Sequence, residues 1–423
     1  MPLLDHAAVA SDTTVVPERR DDRSGTTPLC PRTSRWSQSA GGGRCCARAV
    51  VQVLTVALVA TGLAACASGS APSSDGAAGP ASSTTALVFV PDDPSAAEAS
   101  AAVAELVTAA GEDGEPGCAV SAVVDGEVVF EGGSGTADLA TGEAIDATTT
   151  FDIASVSKQF TAAAIYLLAD RGDLSLGDEV HEYLPELPDY GATITLDDLV
   201  HHTSGLTDYT ELLGEDFADT DVTTTAQALE ALADADELAF DPGTAFEYSN
   251  TNYFLLGQVV ERVDGRTLAD FLADEVFAPL GMDQTVVRDD ADLVVADGAE
   301  GYAAGGDGGF EPDTANWEQA GDGAVWTSVR DLQRWAENLR TFALGGPALR
   351  AGLLTPGPVP DEDGYGYGGG LTFGDGLIEH SGAWAGFSAD FLVAPDSSTS
   401  VVVLCNRDDA EPYDLALEVL DAV

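Results

Sequence analysis

The sequence predicts an α+β sandwich, in which one antiparallel sheet built from both chain ends is flanked by helices and interrupted by a mostly helical insertion at about residues 170–325. Three observations predict it. Strand-like runs lie at both ends of the region 96–423, helical periodicity fills the middle, and no repeat period runs along the chain. About 330 residues are ample to bury such a core, and a site would lie in the cleft between the two parts.

The elements follow in order. SAAEASAAVAELVTAA reads as a helix, and CAVSAVVDG with EVVFEGGSG reads as a hairpin. SVSKQFTAAAIYLLAD, from Ser155 to Asp170, has Phe160, Ala164, Leu167 and Leu168 on one side, with Gly172 placed to end the helix. A second apolar helical run, TNYFLLGQVVERV, follows the loop DPGTAFEYSN. From Phe373 onward come further strands, ending with SSTSVVVLCNRD.

The chemistry is read first from a scarcity. Among 423 residues there are sixteen arginines and a single lysine, Lys158. An amine able to lose its proton is the property that arginine cannot supply. Lys158 lies three positions after Ser155, so hydroxyl and amine share a helical face at the helix start, where unpaired amides and the positive dipole end favour an oxyanion. An N-capping serine followed by a surface lysine is the plainer reading of that spacing. Tyr248-Ser249-Asn250 adds a phenol and an amide two residues apart, and His380-Ser381-Gly382 sits in an edge-strand-like segment where small residues would let a substrate lie along the backbone.

Order and separation of these three motifs resemble the penicillin-recognising serine hydrolases: class C β-lactamases, D-alanyl-D-alanine carboxypeptidases and related esterases. HHTSGL from His201, FEYSNTNY from Phe246 and AGDGAVWTS from Ala320 look like the same family, and the resemblance spans about residues 96–423. It implies a β-lactamase/transpeptidase-like fold with Ser155 as acylated nucleophile, and with Lys158 and Tyr248 exchanging its proton. Asn250 would bind Lys158 and the acyl side of the substrate, His380, Ser381 and Gly382 would border the substrate, and the amides of Ser155 and Ala383 would form the oxyanion hole. In that fold Cys118 and Cys405 would lie on neighbouring antiparallel strands, which leaves a disulfide and two buried thiols both open.

The expected activity is an exported serine hydrolase acting through an acyl-enzyme on a small-molecule or peptide ester or amide, cell-wall peptide among them, without cofactor or metal. His380 stands where β-lactamases usually have lysine, Ala383 offers no hydroxyl, and the nearest arginine upstream is Arg350. Anchoring for a substrate carboxylate is therefore thin, which places esterase or D-amino-acid peptidase ahead of β-lactamase. A penicillin-binding sensor without turnover and a cell-surface binding module are the rivals.

Other chemical-looking residues read as structure. The His201-His202 pair lacks metal-site spacing and reads as a loop held by backbone hydrogen bonds. The run from Gly386 through Ser388 to Asp390 ends in Asp where a nucleophile elbow needs Gly, and Gly364–Gly370 lacks the Lys-Ser or Lys-Thr of a phosphate loop.

Location is read from the amino terminus. Arg44 and Arg48 precede AVVQVLTVALVATGLAA and then Cys66, a pattern resembling a bacterial lipoprotein signal in which the cysteine is lipidated. A single-pass anchor or a plain cleaved signal is the alternative. Residues 1–43 are too long and polar for an ordinary signal, which points to a start further downstream. The expected organisation is extension and signal over 1–65, flexible linker over 66–95 and hydrolase over 96–423, as a monomer at the outer face of the membrane. Net charge is −55, and removing 1–65 takes seven arginines and five acids, leaving about −57. Such a surface repels phosphate backbones, so nucleic acid is excluded as a partner.

Overall fold

The structure, a computed structural model, describes residues 94–111, 114–213, 222–306 and 308–423. Cys66 and the expected signal lie outside the described residues. The first helix, α1 (Pro94–Ala109), opens within the last two residues of the expected linker.

A seven-stranded antiparallel sheet forms the centre. Its strands are β1 (Cys118–Val124), β2 (Glu127–Ser134), β3 (Gly366–Tyr367), β4 (Thr372–Gly374), β5 (Leu377–Trp384), β6 (Phe387–Ala394) and β7 (Thr399–Cys405), in the order β3-β4-β5-β6-β7-β1-β2. The two ends of the domain thus meet at the β1/β7 pair, as the sequence predicts. Alternation explains why β1 and β7 read as unbroken apolar runs: Ala119, Val402 and Leu404 face one core, Val120, Val401 and Val403 the other. The second core is closed by α1 and by α5 (Pro412–Ala422) through Val103, Val107, Ala416 and Val419. The first is closed by α2 (Lys158–Arg171), α3 (Asn250–Asp264) and α4 (Val329–Thr341), with Phe160 packed between Trp335 and Phe277 at ring distances of 4.9 and 5.3 Å. Gly172 ends α2 in the left-handed conformation that glycine tolerates best.

Between β2 and β3 the chain first carries the short strands Thr136–Asp138, Glu143–Ala144 and Phe151–Asp152, is then largely helical as far as Leu280, and after that carries further short strands, of which Val325–Thr327 pairs back with Phe151–Asp152. The Gly386–Asp390 run lies at β6, where the Ser388 hydroxyl donates to the Arg407 carbonyl at 2.9 Å, a structural use. Gly370, with φ +75°, is required by packing: a Cβ there would stand 2.3 Å from the Gln159 amide nitrogen at the start of α2.

Cys118 and Cys405 face each other in the β1/β7 register and are joined by a disulfide across 287 residues. Because the strands pair without it, its stabilisation comes from restricting the unfolded chain. Cys118→Ala/Cys405→Ala is expected to lower unfolding free energy by about 2–5 kcal/mol in urea titrations. Dithiothreitol should reproduce the loss in the wild type and leave the double variant unmoved.

Candidate active site

Ser155 lies on a 3₁₀ turn, Ala154–Ser157, that leads directly into α2, so the helix expected from Ser155 begins as a tighter turn. Ala154 adopts φ +46°, an uncommon conformation for a residue with a side chain, held by a bond from its amide to Asp152 Oδ1 at 2.8 Å. The Ser157 hydroxyl accepts from the Val325 amide at 3.1 Å and is buried, which leaves Ser155 as the serine facing the cleft.

Lys158 is fully buried and its Nζ donates three hydrogen bonds: to Ser155 Oγ at 3.0 Å, Asn250 Oδ1 at 2.8 Å and the Asp322 carbonyl at 2.7 Å. Burial pulls its pKa down to about 8, against the opposing charges of Asp322 and Asp208. Burial pushes the Tyr248 phenol well above its ordinary value, while a hydrogen bond with Ser155 acts the other way. Of the two groups near the serine, the amine is therefore the easier to deprotonate. Lys158 Nζ lies 5.0 Å from the centre of the Tyr248 ring.

Tyr248 precedes α3, and Asn250 is that helix's first residue, its amide donating to Asp208 Oδ2 at 2.7 Å. His202 backs the phenol, its ring stacked 4.4 Å from that of Tyr248. Its Nδ1 accepts from the Ser249 amide at 3.2 Å and from Asn252 Nδ2 at 2.9 Å, and burial holds the imidazole far below its usual pKa. A residue that the sequence reading gives only a loop role is thus a support for Tyr248. His201 is held by the Asp197 carbonyl at 3.0 Å.

The third motif lies on β5, beyond the stretch paired with β4, so its edge there is open as predicted. A Cβ on Gly382 would stand 2.3 Å from the Ile153 carbonyl and 3.1 Å from the Ser155 amide nitrogen, so only glycine lets β5 approach the Ser155 turn. His380 lies on the same face of β5 as Gly382, its ring 6.1 Å from that of Tyr248. Its Nδ1 donates to the Ser381 carbonyl at 2.6 Å and its Nε2 accepts from the Tyr367 hydroxyl at 3.0 Å, while burial lowers its pKa to about 3 and keeps it neutral. Ser381 is paired opposite Asp390 and alternates to the sheet face away from Gly382. Of this segment Ala383 and Trp384 line the cleft.

The cleft has a cavity volume of about 70 Å³ and is bordered by Ser155, Asn250, Asp322, Trp317, Trp384 and Arg288. Arg288 is the arginine that the sequence reading missed. Arg350, the nearest in sequence, packs over the Phe342 ring at 5.3 Å instead. Among the described residues no group of His, Cys, Asp and Glu is arranged to hold a metal ion.

An activated serine with a buried lysine, a phenol and an amide, beneath an open strand edge, defines the acyl-transfer serine enzymes as a class. Comparison with known proteins narrows this. The Beta-lactamase family profile matches residues 101–423, and the chain belongs to that family, as a serine hydrolase. It is 33% identical over 296 residues to a D-aminopeptidase of Brucella anthropi, covering 69% of this chain and 56% of that protein. Penicillin-binding protein 4* of Bacillus subtilis is 27% identical over 321 residues, covering 70% of each chain. A D-stereospecific amidohydrolase from Streptomyces superposes with a TM-score of 0.63 at 25% identity, over 75% of this chain and 97% of that one. The chain thus spans little more than half the length of the Brucella D-aminopeptidase.

Proposed function

We propose that the protein hydrolyses amide or ester bonds of small D-amino-acid derivatives or peptides through an acyl-enzyme on Ser155. The observation that carries this is the set of three bonds from Lys158 to Ser155, Asn250 and the Asp322 carbonyl. Neutral Lys158 takes the Ser155 proton as Oγ attacks the carbonyl carbon. The amides of Ser155 and Ala383 hold the oxyanion. The proton then passes to the leaving amine or alkoxide as its bond to carbon breaks. Tyr248, hydrogen-bonded to Ser155, completes the proton path and orients the water that deacylates. The D-aminopeptidase and D-stereospecific amidohydrolase relatives support the substrate class.

Two probes test this together: a fluorescent penicillin and a fluorophosphonate, with mass mapping of the labelled peptide. Label on Ser155 with turnover of D-alanyl amides is the expected result. A stable penicillin adduct without turnover would favour a sensor, and no label on Ser155 with either reagent would favour a binding module.

We further propose export with a lipid on Cys66, supported by the basic flank, the apolar run and Leu63-Ala-Ala-Cys66, and by a disulfide of the kind that persists in oxidising compartments. Mass spectrometry of the mature amino terminus is expected to find a diacylglyceryl cysteine. An unmodified terminus beyond residue 66 would exclude it. No described helix is long and apolar enough to cross a membrane.

A further inference from the structure

Lys158 Nζ is directed at Ser155 by its two other acceptors, Asn250 Oδ1 and the Asp322 carbonyl. Each of these is held from behind, and by consecutive residues. Asn250 has its own amide bound by Asp208 Oδ2 at 2.7 Å, and Asp322 has its Oδ2 bound by the Tyr209 hydroxyl at 3.0 Å. Tyr209 also borders the cleft, but its hydroxyl is committed to Asp322.

The two residues are themselves fixed. Asp208 Oδ1 accepts from the Thr210 amide and hydroxyl at 2.9 and 2.8 Å, at the start of the short helix Tyr209–Leu213. Tyr209 is buried, its amide donating to Thr251 Oγ1 at 2.7 Å and its ring 5.0 Å from that of Phe254. Thr251 and Phe254 lie on α3, the helix that Asn250 begins. A phenol so confined loses little further freedom in holding Asp322.

Charge acts in the same direction as geometry. Burial, the largest influence on the Lys158 amine, is opposed by Asp322 and Asp208. The other titratable groups facing it are Tyr248 and Tyr253, with Nζ 5.0 and 6.0 Å from their ring centres, and His202 and His380, both kept neutral by burial.

We propose that Asp208 and Tyr209 are positioning residues for acyl transfer, Asp208 acting through Asn250 and Tyr209 through Asp322, which together aim the Lys158 amine at the Ser155 hydroxyl. This rests on the acyl-enzyme reading of Ser155 with Lys158 as its base. Because both residues act through that amine, their effect on rate disappears when the amine is absent.

The test is the rate at which a fluorophosphonate labels Ser155, followed across pH for Asp208→Asn and Tyr209→Phe in the wild-type and Lys158→Ala backgrounds, with thermal melts as the folding control. Asparagine offers one acceptor where Asp208 uses two, and phenylalanine keeps the buried ring without its hydroxyl. In the wild-type background each substitution is expected to slow labelling at high pH by about 5- to 10-fold, and in the Lys158→Ala background by less than about 2-fold. Asp208→Asn should also move the rising limb of the pH profile, near 8 in the wild type, to lower pH, since a carboxylate that favours the charged amine is gone. Equal losses in both backgrounds, the pattern of a merely structural role, overturn the positioning, as does a wild-type rate that either substitution leaves unchanged. A limb that Asp208→Asn leaves in place removes Asp208 from the support. Ser155 unlabelled in the wild type overturns the reading beneath instead. Should Asp208→Asn not fold, Tyr209→Phe decides by the same comparison of backgrounds.

Discussion

Ser155→Ala is expected to lower ester and amide turnover by about four orders of magnitude or more with the fold retained, because no neighbouring group can replace the oxygen that forms the covalent bond. The measurement is kcat on a chromogenic ester, with circular dichroism as the folding control. Ser157→Ala is the internal comparison. Its hydroxyl accepts from the Val325 amide and lies buried, so its loss should cost about 1 kcal/mol of stability and leave acylation in place. The reverse pattern, activity lost at Ser157 and kept at Ser155, would move the nucleophile.

Lys158→Arg is expected to be nearly as damaging as Lys158→Ala, each by about three orders of magnitude in acylation rate, because a guanidinium keeps the charge and cannot take the serine proton. The pH profile carries the sign. With the amine pKa drawn down to about 8, the neutral base is the minor form at pH 7. Wild-type kcat/KM should therefore rise as pH climbs through about 8 and level off above it, and this limb should vanish from both variants. Near-wild-type acylation by the arginine variant would leave Tyr248 as the sole base.

The residues legible in the sequence are those whose chemistry is compressed into short spacings. Ser155 and Lys158 meet because i and i+3 share a helical face, and Tyr248 and Asn250 because a loop turns into α3 between them. The long strands are legible because their apolar runs are local. Pairs of two or three residues, such as Phe151–Asp152, were not, since distant partners decide them. Much of the rest of the site is also distant in sequence. Lys158 is held by a main-chain carbonyl 164 residues away, and a carbonyl leaves no trace in residue type. His202 carries an ordinary side chain whose significance comes from the phenol stacked on it. The bond between His380 and Tyr367 is not legible, because sequence does not say which side of β5 Tyr367 approaches.

The seam between β1 and β7 also constrains how the molecule is made. β7 lies between β6 and β1, so the last strand synthesised is an interior strand of the sheet. At ribosomal speeds of about 5–20 residues per second, the hairpin β1-β2 must wait roughly a quarter of a minute to a minute for the partner that covers its open edge. Until then that edge can pair with a neighbouring nascent chain. A chain cut short after β6 would lose the middle of its sheet, not a dispensable tail. Translation errors near the carboxyl end should thus be as harmful as errors at the nucleophile itself.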